Sequence, residues 1–186
     1  MRVITGRAKG RRLFAPSSNK IRPALDKVKE SIFNILFDVN GLDVLDIFAG
    51  TGSVGIEAIS RGAHHATFIE NMPIAIKAIE KNLSICGFAG DASIIALPMN
   101  LAIKKLSKKE GKFDLVFVDP PYLKNLVNIT LRLLSESGIL KKDSIIVVEH
   151  HPKEPIEDDT GLVLSDYRKY GQTLVSFLNI KKPALS

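Results

Sequence analysis

Tryptophan is absent from this 186-residue chain, cysteine occurs once, at Cys86, and only 6% of the residues are aromatic. One cysteine cannot close an internal disulfide, which excludes a disulfide scaffold and suits a reducing compartment. No apolar run approaches the roughly 18–20 residues that a membrane-spanning helix needs, so neither a span nor a membrane partner is expected. The apolar segment of a secretory signal is also missing, and a cytoplasmic location is expected. Acidic residues are missing from one region only. Residues 1–25 contain none, against seven Lys and Arg.

What is present is a chain 45% hydrophobic, too apolar for disorder and of a length that suits one domain. The formal net charge is +6, from 26 Lys+Arg and 20 Asp+Glu, and residues 26–186 hold 19 basic against 20 acidic groups. The whole positive excess therefore sits in the first 25 residues. A basic arm of this kind attracts phosphate backbones. A mitochondrial transit peptide is also Arg-rich, but it must form an amphipathic helix, and Gly6, Gly10, Pro16 and Pro23 interrupt one. Arg2-Val3-Ile4-Thr5 and Arg11-Arg12-Leu13-Phe14 instead predict two short strands around a glycine-containing turn. Arg7, Lys9, Arg11, Arg12 and Arg22 are the candidate phosphate contacts. The division expected is a basic arm over 1–25 and a catalytic domain over 26–186.

Beyond a Pro/Ser/Asn loop, Asp26 can cap a helix whose apolar face is Val28, Ile32, Phe33, Leu36 and Phe37. Short apolar strands then alternate with helical patterns. Strands are predicted at 43–48, 66–70, 93–97, 113–118 and 144–149, and helices at 52–60, 73–86, 100–107 and 123–136. Such alternation predicts βαβ units, a parallel sheet and right-handed crossovers. Ile145-Ile146-Val147-Val148 is apolar throughout, as in a strand covered on both faces. Segments 162–167 and 173–180 leave no room for a helix between them and predict an antiparallel hairpin.

Two loops carry chemistry. Asp46-Ile47-Phe48-Ala49-Gly50-Thr51-Gly52-Ser53-Val54-Gly55 follows a strand, opens a helix and contains G-x-G-x-x-G at positions 50–55. Glycine there allows a tight turn and the close approach of a ligand. Glu70, 20 residues after Gly50, ends the second strand where a carboxylate can accept bonds from ribose hydroxyls. Asn71 beside it joins the cofactor set, as do Phe48, Ala49 and Thr51. Asp46 selects the ligand class. A dinucleotide would bring an anionic pyrophosphate to this carboxylate, whereas S-adenosylmethionine (SAM) offers an ammonium and a sulfonium. The charge favours SAM.

The second loop, Asp119-Pro120-Pro121-Tyr122, ends the fourth strand, where an open α/β sheet gathers its ligand chemistry. The two prolines fix the backbone and carry no N–H, so the loop offers acceptors: the Asp119 carboxylate and the Pro120 carbonyl. Two rigid acceptors can hold an exocyclic NH2 group and turn its lone pair toward an electrophile. Tyr122 supplies a face for an unstacked base. Among the other candidates, His64 and His65 read as loop residues, His150-His151 lack the further ligands of a metal site, Cys86 reads as core, and the lysines of 104–112 as a solvated helix end.

The glycine loop with Asp-Pro-Pro-Tyr resembles the class I SAM-dependent amino methyltransferases. Arg2-Val3-Ile4-Thr5-Gly6, Gly10-Arg11-Arg12-Leu13 and the run from Arg22-Pro23 through Leu36 narrow the likeness to the bacterial 16S ribosomal RNA guanine-N2 methyltransferase family (RsmD-like). This resemblance runs from Met1 to Tyr170-Gly171. It implies a Rossmann-like, mostly parallel seven-stranded sheet with an antiparallel C-terminal hairpin, SAM as methyl donor with S-adenosylhomocysteine as product, no metal, and a 16S rRNA substrate. A monomer acting on 16S rRNA, bare or within a partly assembled small subunit, is expected. Members usually place an acidic or amide residue followed by Ala after the third strand to hold the adenine N6. Here Ala96-Leu97-Pro98-Met99-Asn100-Leu101-Ala102 leaves that role to Asn100, offset by one residue, or to a backbone group. The alternatives are a DNA adenine-N6 or cytosine-N4 methyltransferase, for whose added recognition domain the chain has little room, an NAD-dependent oxidoreductase, or an RNA-binding module without catalysis.

Overall fold

The computed structural model describes residues 1–16, 26–109 and 111–181. The candidate phosphate contact Arg22, with Pro23, lies outside the described residues. Seven strands form one sheet in the order β3-β2-β1-β4-β5-β7-β6. They are β1 (Asp43–Ile47), β2 (His65–Ile69), β3 (Ala92–Ile95), β4 (Phe113–Val118), β5 (Leu140–His150), β6 (Leu162–Tyr170) and β7 (Thr173–Ile180). The first five pair in parallel, and β7 runs antiparallel between β5 and β6. This is the α/β sheet expected.

Period-two alternation splits the core across two faces of the sheet. Val44, Leu115, Phe117 and Val147 pack with α1 (Asp26–Leu36), α2 (Ser53–Ser60) and α3 (Pro73–Cys86) on one face. Leu45, Ile47, Val116, Val118, Ile146 and Val148 pack with α4 (Met99–Leu106) and α5 (Leu126–Glu136) on the other. Cys86 is buried in the first of these layers. The C-terminal hairpin is tighter than the sequence suggested: β6 continues to Tyr170, pairing it with Thr173, so the turn is only Gly171-Gln172, with Gly171 at φ 62. Helix α5 starts three residues later than expected, because Leu123 and Asn125 hold left-handed conformations at φ 58 and 57.

The N-terminal ribbon is shorter than predicted. A single antiparallel bridge joins Arg2 and Arg12, supported by bonds from Val3 N–H to Arg11 O (3.0 Å) and Gly10 N–H to Val3 O (2.8 Å). The segment docks instead of standing free. Val3, Ala8 and Leu13 are buried in the same core as α1 and α2. Gly6, at φ 84, lies so close to α2 that an added Cβ would sit 1.7 Å from the Ser60 carbonyl oxygen. Ser60 reciprocates, its Oγ accepting from Ala8 N–H (3.0 Å) and donating to Thr5 O (2.6 Å).

Candidate active site

Strand order reverses between β1 and β4, and such a switch point opens a crevice at the C-terminal strand ends. Both chemical loops leave the sheet there. Ile47 pairs with Val118, so Phe48 and Asp119 emerge side by side, and the Asp119 N–H points to the Ile47 carbonyl at 3.4 Å.

The glycine loop turns through left-handed residues, Phe48 at φ 62, Gly50 at φ 56 and Gly52 at φ 74. Gly55 is needed for space: an added Cβ would lie 2.4 Å from Cε1 of Phe68. The buried Asp46 carboxylate braces the loop by accepting the Gly55 N–H at 3.0 Å. Burial raises its pKa to about 7, with the nearby Glu70 charge adding to the effect and the Gly55 N–H opposing it. Glu70 reaches back as its position suggested, yet it grips backbone: Oε2 accepts from Gly50 N–H (2.9 Å), and Oε1 from Asn71 N–H (2.8 Å) and Met72 N–H (2.9 Å). Three of a carboxylate's roughly four acceptor positions are thereby filled.

These bonds bear on the ligand class. Ala49 N–H is taken by Ile69 O and Gly52 N–H by Ala49 O, in addition to Gly50 and Gly55. A pyrophosphate needs outward N–H groups at such a turn. Four of these N–H groups are taken instead by protein acceptors, Ile69 O, Glu70, Ala49 O and Asp46, and the buried Asp46 carboxylate lies on the cleft wall. The residues fit a cationic, phosphate-free ligand.

In the second loop Pro120 is buried while Asp119 and Pro121 are exposed. Tyr122 is more than a stacking surface. Its hydroxyl donates to Glu149 Oε1 (3.1 Å) and meets Thr173 Oγ1 (2.8 Å), and its ring lies 5.9 Å from that of His151, tilted by 59°. Burial, then the charges of Glu149 and Asp119, hold the phenol well above its usual pKa, so it stays neutral. The left-handed Leu123 and Asn125 behind it are clamped by the buried Glu154, whose carboxylate accepts both their N–H groups. His150 backs this clamp, its Nδ1 against the Glu154 carbonyl (2.8 Å) and its Nε2 against Ser176 Oγ (2.9 Å). Burial lowers its pKa and keeps the ring neutral. Among the described residues no group of three or more His, Cys, Asp or Glu is placed to hold a metal.

The cleft brings together Asp46, Phe48, Ala49, Gly50, Thr51 and Asp119 of the predicted site. Gly52 and Gly55 shape the turn without lining the cleft, and Glu70, Asn71, Pro120, Pro121 and Tyr122 are not among the residues that line it. Asn100 is exposed in the first turn of α4, outside the cleft lining. Sequence reasoning missed Glu149, which lines the cleft, and Glu154, which holds Leu123 and Asn125. The signal for Glu149 was a carboxylate ending an apolar strand at the catalytic edge. Glu154, in a polar loop, gave none.

On the basic arm, Lys9, Arg11 and Arg12 are exposed. Arg7 is also exposed, but its guanidinium is tied back to the surface, donating to Asp91 Oδ2 (2.9 Å) and lying over the Phe88 ring at 4.8 Å.

Comparison with known proteins places this geometry. A family model described as Conserved hypothetical protein 95 matches residues 1–179. The Ribosomal RNA small subunit methyltransferase D of Haemophilus influenzae is 34% identical over 181 residues, covering 91% of this chain and 93% of that protein. The protein of the same name from Escherichia coli K12 is 38% identical over 150 residues, covering 80% and 74%. A solved structure titled "Putative methyltransferase yhhF from Escherichia coli" superposes with a TM-score of 0.82 at 31% identity, over 98% of this chain and 99% of that one.

Proposed function

The chain belongs to the Conserved hypothetical protein 95 family, and from that premise we propose that it methylates the exocyclic N2 of a guanine in 16S ribosomal RNA, with SAM as donor. The observation that carries the reading is the emergence of the glycine loop and of Asp119 from the paired ends of β1 and β4 into one cleft, with Pro120 next in the chain. The named relatives supply the substrate class, as methyltransferases of the small-subunit RNA.

SAM would supply an electrophilic methyl group, the electron pair of the broken C–S bond staying on sulfur as S-adenosylhomocysteine leaves. Asp46 and Glu70 give the donor's side of the cleft its negative charge, and the glycine turn sets the distance of approach. Asp119 accepts one N–H of the guanine amine, and the Pro120 carbonyl the other. With both N–H bonds held, the nitrogen lone pair turns out of conjugation toward the methyl carbon. Alignment of this kind supplies up to about 7–11 kcal/mol in favourable models. As positive charge develops on nitrogen, Asp119 takes the proton, general-base help worth roughly 10²–10⁴-fold. Tyr122, tied to β5 and β7, walls the base pocket. The target base must be unstacked to reach the cleft. Lys9, Arg11 and Arg12, with Arg22, then hold flanking phosphates.

The test is incubation with methyl-labelled SAM and 16S rRNA, bare and in assembled particles, followed by mass spectrometry of the nucleosides. N2-methylguanosine is expected; N6-methyladenosine or N4-methylcytidine refutes the guanine reading. Asp119→Ala should lose nearly all turnover while still binding SAM, and retention of more than about a tenth of the rate contradicts its role.

A further inference from the structure

We infer that Glu149 is the residue that reads the target base, accepting the guanine N1–H beside the amine held by Asp119; this rests on the guanine-N2 reading above. Val118 pairs with Val148 across parallel strands, so the next residues lie side by side, Asp119 just past the end of β4 and Glu149 still in β5 and paired with Val175, and both line the cleft. The Glu149 carboxylate is oriented by the Tyr122 hydroxyl at 3.1 Å, itself fixed against Thr173. Two adjacent carboxylates make a wall that accepts hydrogen bonds and donates none.

The chemistry of the bases then selects one. Adenine carries its amine beside N1, and cytosine beside N3, each a ring nitrogen with a lone pair that would face a carboxylate. Only guanine places a ring N–H next to an exocyclic NH2 on its pairing edge. That edge offers contiguous donors, one to each carboxylate, and the two bonds also offset the repulsion between the acids. The specificity is therefore built from a mismatch against the wrong base as much as from a bond to the right one. Asp119 touches the reacting nitrogen, and Glu149 touches its neighbour.

The test places guanine or 2-aminopurine at the modified position, mapped beforehand, in synthetic RNA assembled as the preferred substrate. 2-Aminopurine keeps the amine but has a lone pair at N1 in place of the N–H. The wild-type protein should prefer guanine by roughly 10²-fold or more in kcat/KM, as sites built around a donor do. In Glu149→Gln an amide NH2 can donate to that lone pair, so the preference should shrink to less than about tenfold, with SAM affinity unchanged within about twofold. An unchanged preference in Glu149→Gln, with N2-methylguanosine still formed, overturns the role of Glu149 alone. Failure of the wild-type protein to form N2-methylguanosine overturns the guanine-N2 reading and this inference with it. Should the variant not fold, the wild-type ratio decides, and equal rates on the two bases overturn the inference.

Discussion

Asp46 makes the charge argument measurable. Without ligand its burial holds the proton on up to about pH 7. A cationic donor favours the ionised carboxylate and should draw the pKa down, so binding below pH 7 must expel a proton. From pH 7.0 to 5.5 the ionised fraction of the free protein falls from about one half to about 3%, and SAM affinity should weaken by roughly 15-fold. The donor's own amine titrates near 7.7–8.0 and does not interfere in that window. Isothermal titration calorimetry at pH 5.5, 6.0, 6.5 and 7.0, in buffers of differing ionisation enthalpy, reports both the affinity and the proton released. Asp46→Asn should bind SAM weakly at every pH and release no proton. A stability effect of opposite sense accompanies this. An unfolded aspartate titrates near 3.9, so between about pH 4 and 7 the folded chain holds an extra proton, and this group's contribution to stability falls as pH rises through that range. Asp46→Asn should thus unfold at higher denaturant than the parent at pH 8, by up to about 4 kcal/mol, and show little difference near pH 4. Affinity that is flat with pH and free of proton release would refute the placement of the donor's charge beside Asp46.

Three further outcomes follow from the packing. Gly6→Ala puts a Cβ 1.7 Å from the Ser60 carbonyl at a φ of 84, so the arm must lift from α2; the melting temperature should fall and the arm become sensitive to limited proteolysis, and a variant indistinguishable from the parent would contradict the docking. Glu154→Ala releases the two left-handed residues behind the catalytic loop, and kcat should drop by roughly 10–100-fold with SAM affinity unchanged; equal losses in both would mean general disruption. Arg11→Ala with Arg12→Ala should make the slope of log RNA affinity against log salt shallower by about 1.5, the value for two lost phosphate contacts, and an unchanged slope removes these arginines from the RNA path.

The parallel sheet was legible because strands covered on both faces must be apolar throughout, as Ile145 to Val148 are, and because glycine and proline mark where strands meet helices. The two loops were legible for the same reason: Gly50, Gly52 and Gly55, and Pro120 with Pro121, are backbone demands written in residue type. What escaped the sequence acts at long range. Glu149 works on Tyr122, 27 positions earlier, and Glu154 on Leu123 and Asn125, 31 and 29 positions earlier. Glu70 follows β2, as its place in the sequence indicated, but its bond to Gly50 depends on how far the turn folds back, which spacing does not fix. The late start of α5 escaped because left-handed Leu123 has no residue-type signature and is sustained by a carboxylate elsewhere in the chain.

The basic arm looks from its composition like an appendage, and its buried polar contacts argue otherwise. Lys29 is fully buried, its Nζ donating to Arg2 O (2.8 Å) and Ser53 Oγ (2.9 Å) and lying 3.5 Å from Glu57 Oε2. Burial depresses its pKa, the Glu57 carboxylate opposing that shift. Glu57 in turn accepts the N–H groups of Ile4 (2.8 Å) and Thr5 (3.0 Å). Asn82, equally buried, bonds both to Phe14 O (3.0 Å) and to Thr51 O (2.9 Å). Lys29 and Asn82 each join the arm to the start of α2 or to the glycine loop, and Glu57, itself in α2, holds two N–H groups of the arm. An uncompensated buried charge costs several kcal/mol, so the arm's backbone is needed to complete the network beneath the loop. Residues 1–16 are thereby tied to the glycine loop and to α2, and under the proposed function this tie would hold RNA bound by Arg11 and Arg12 in register with Asp119.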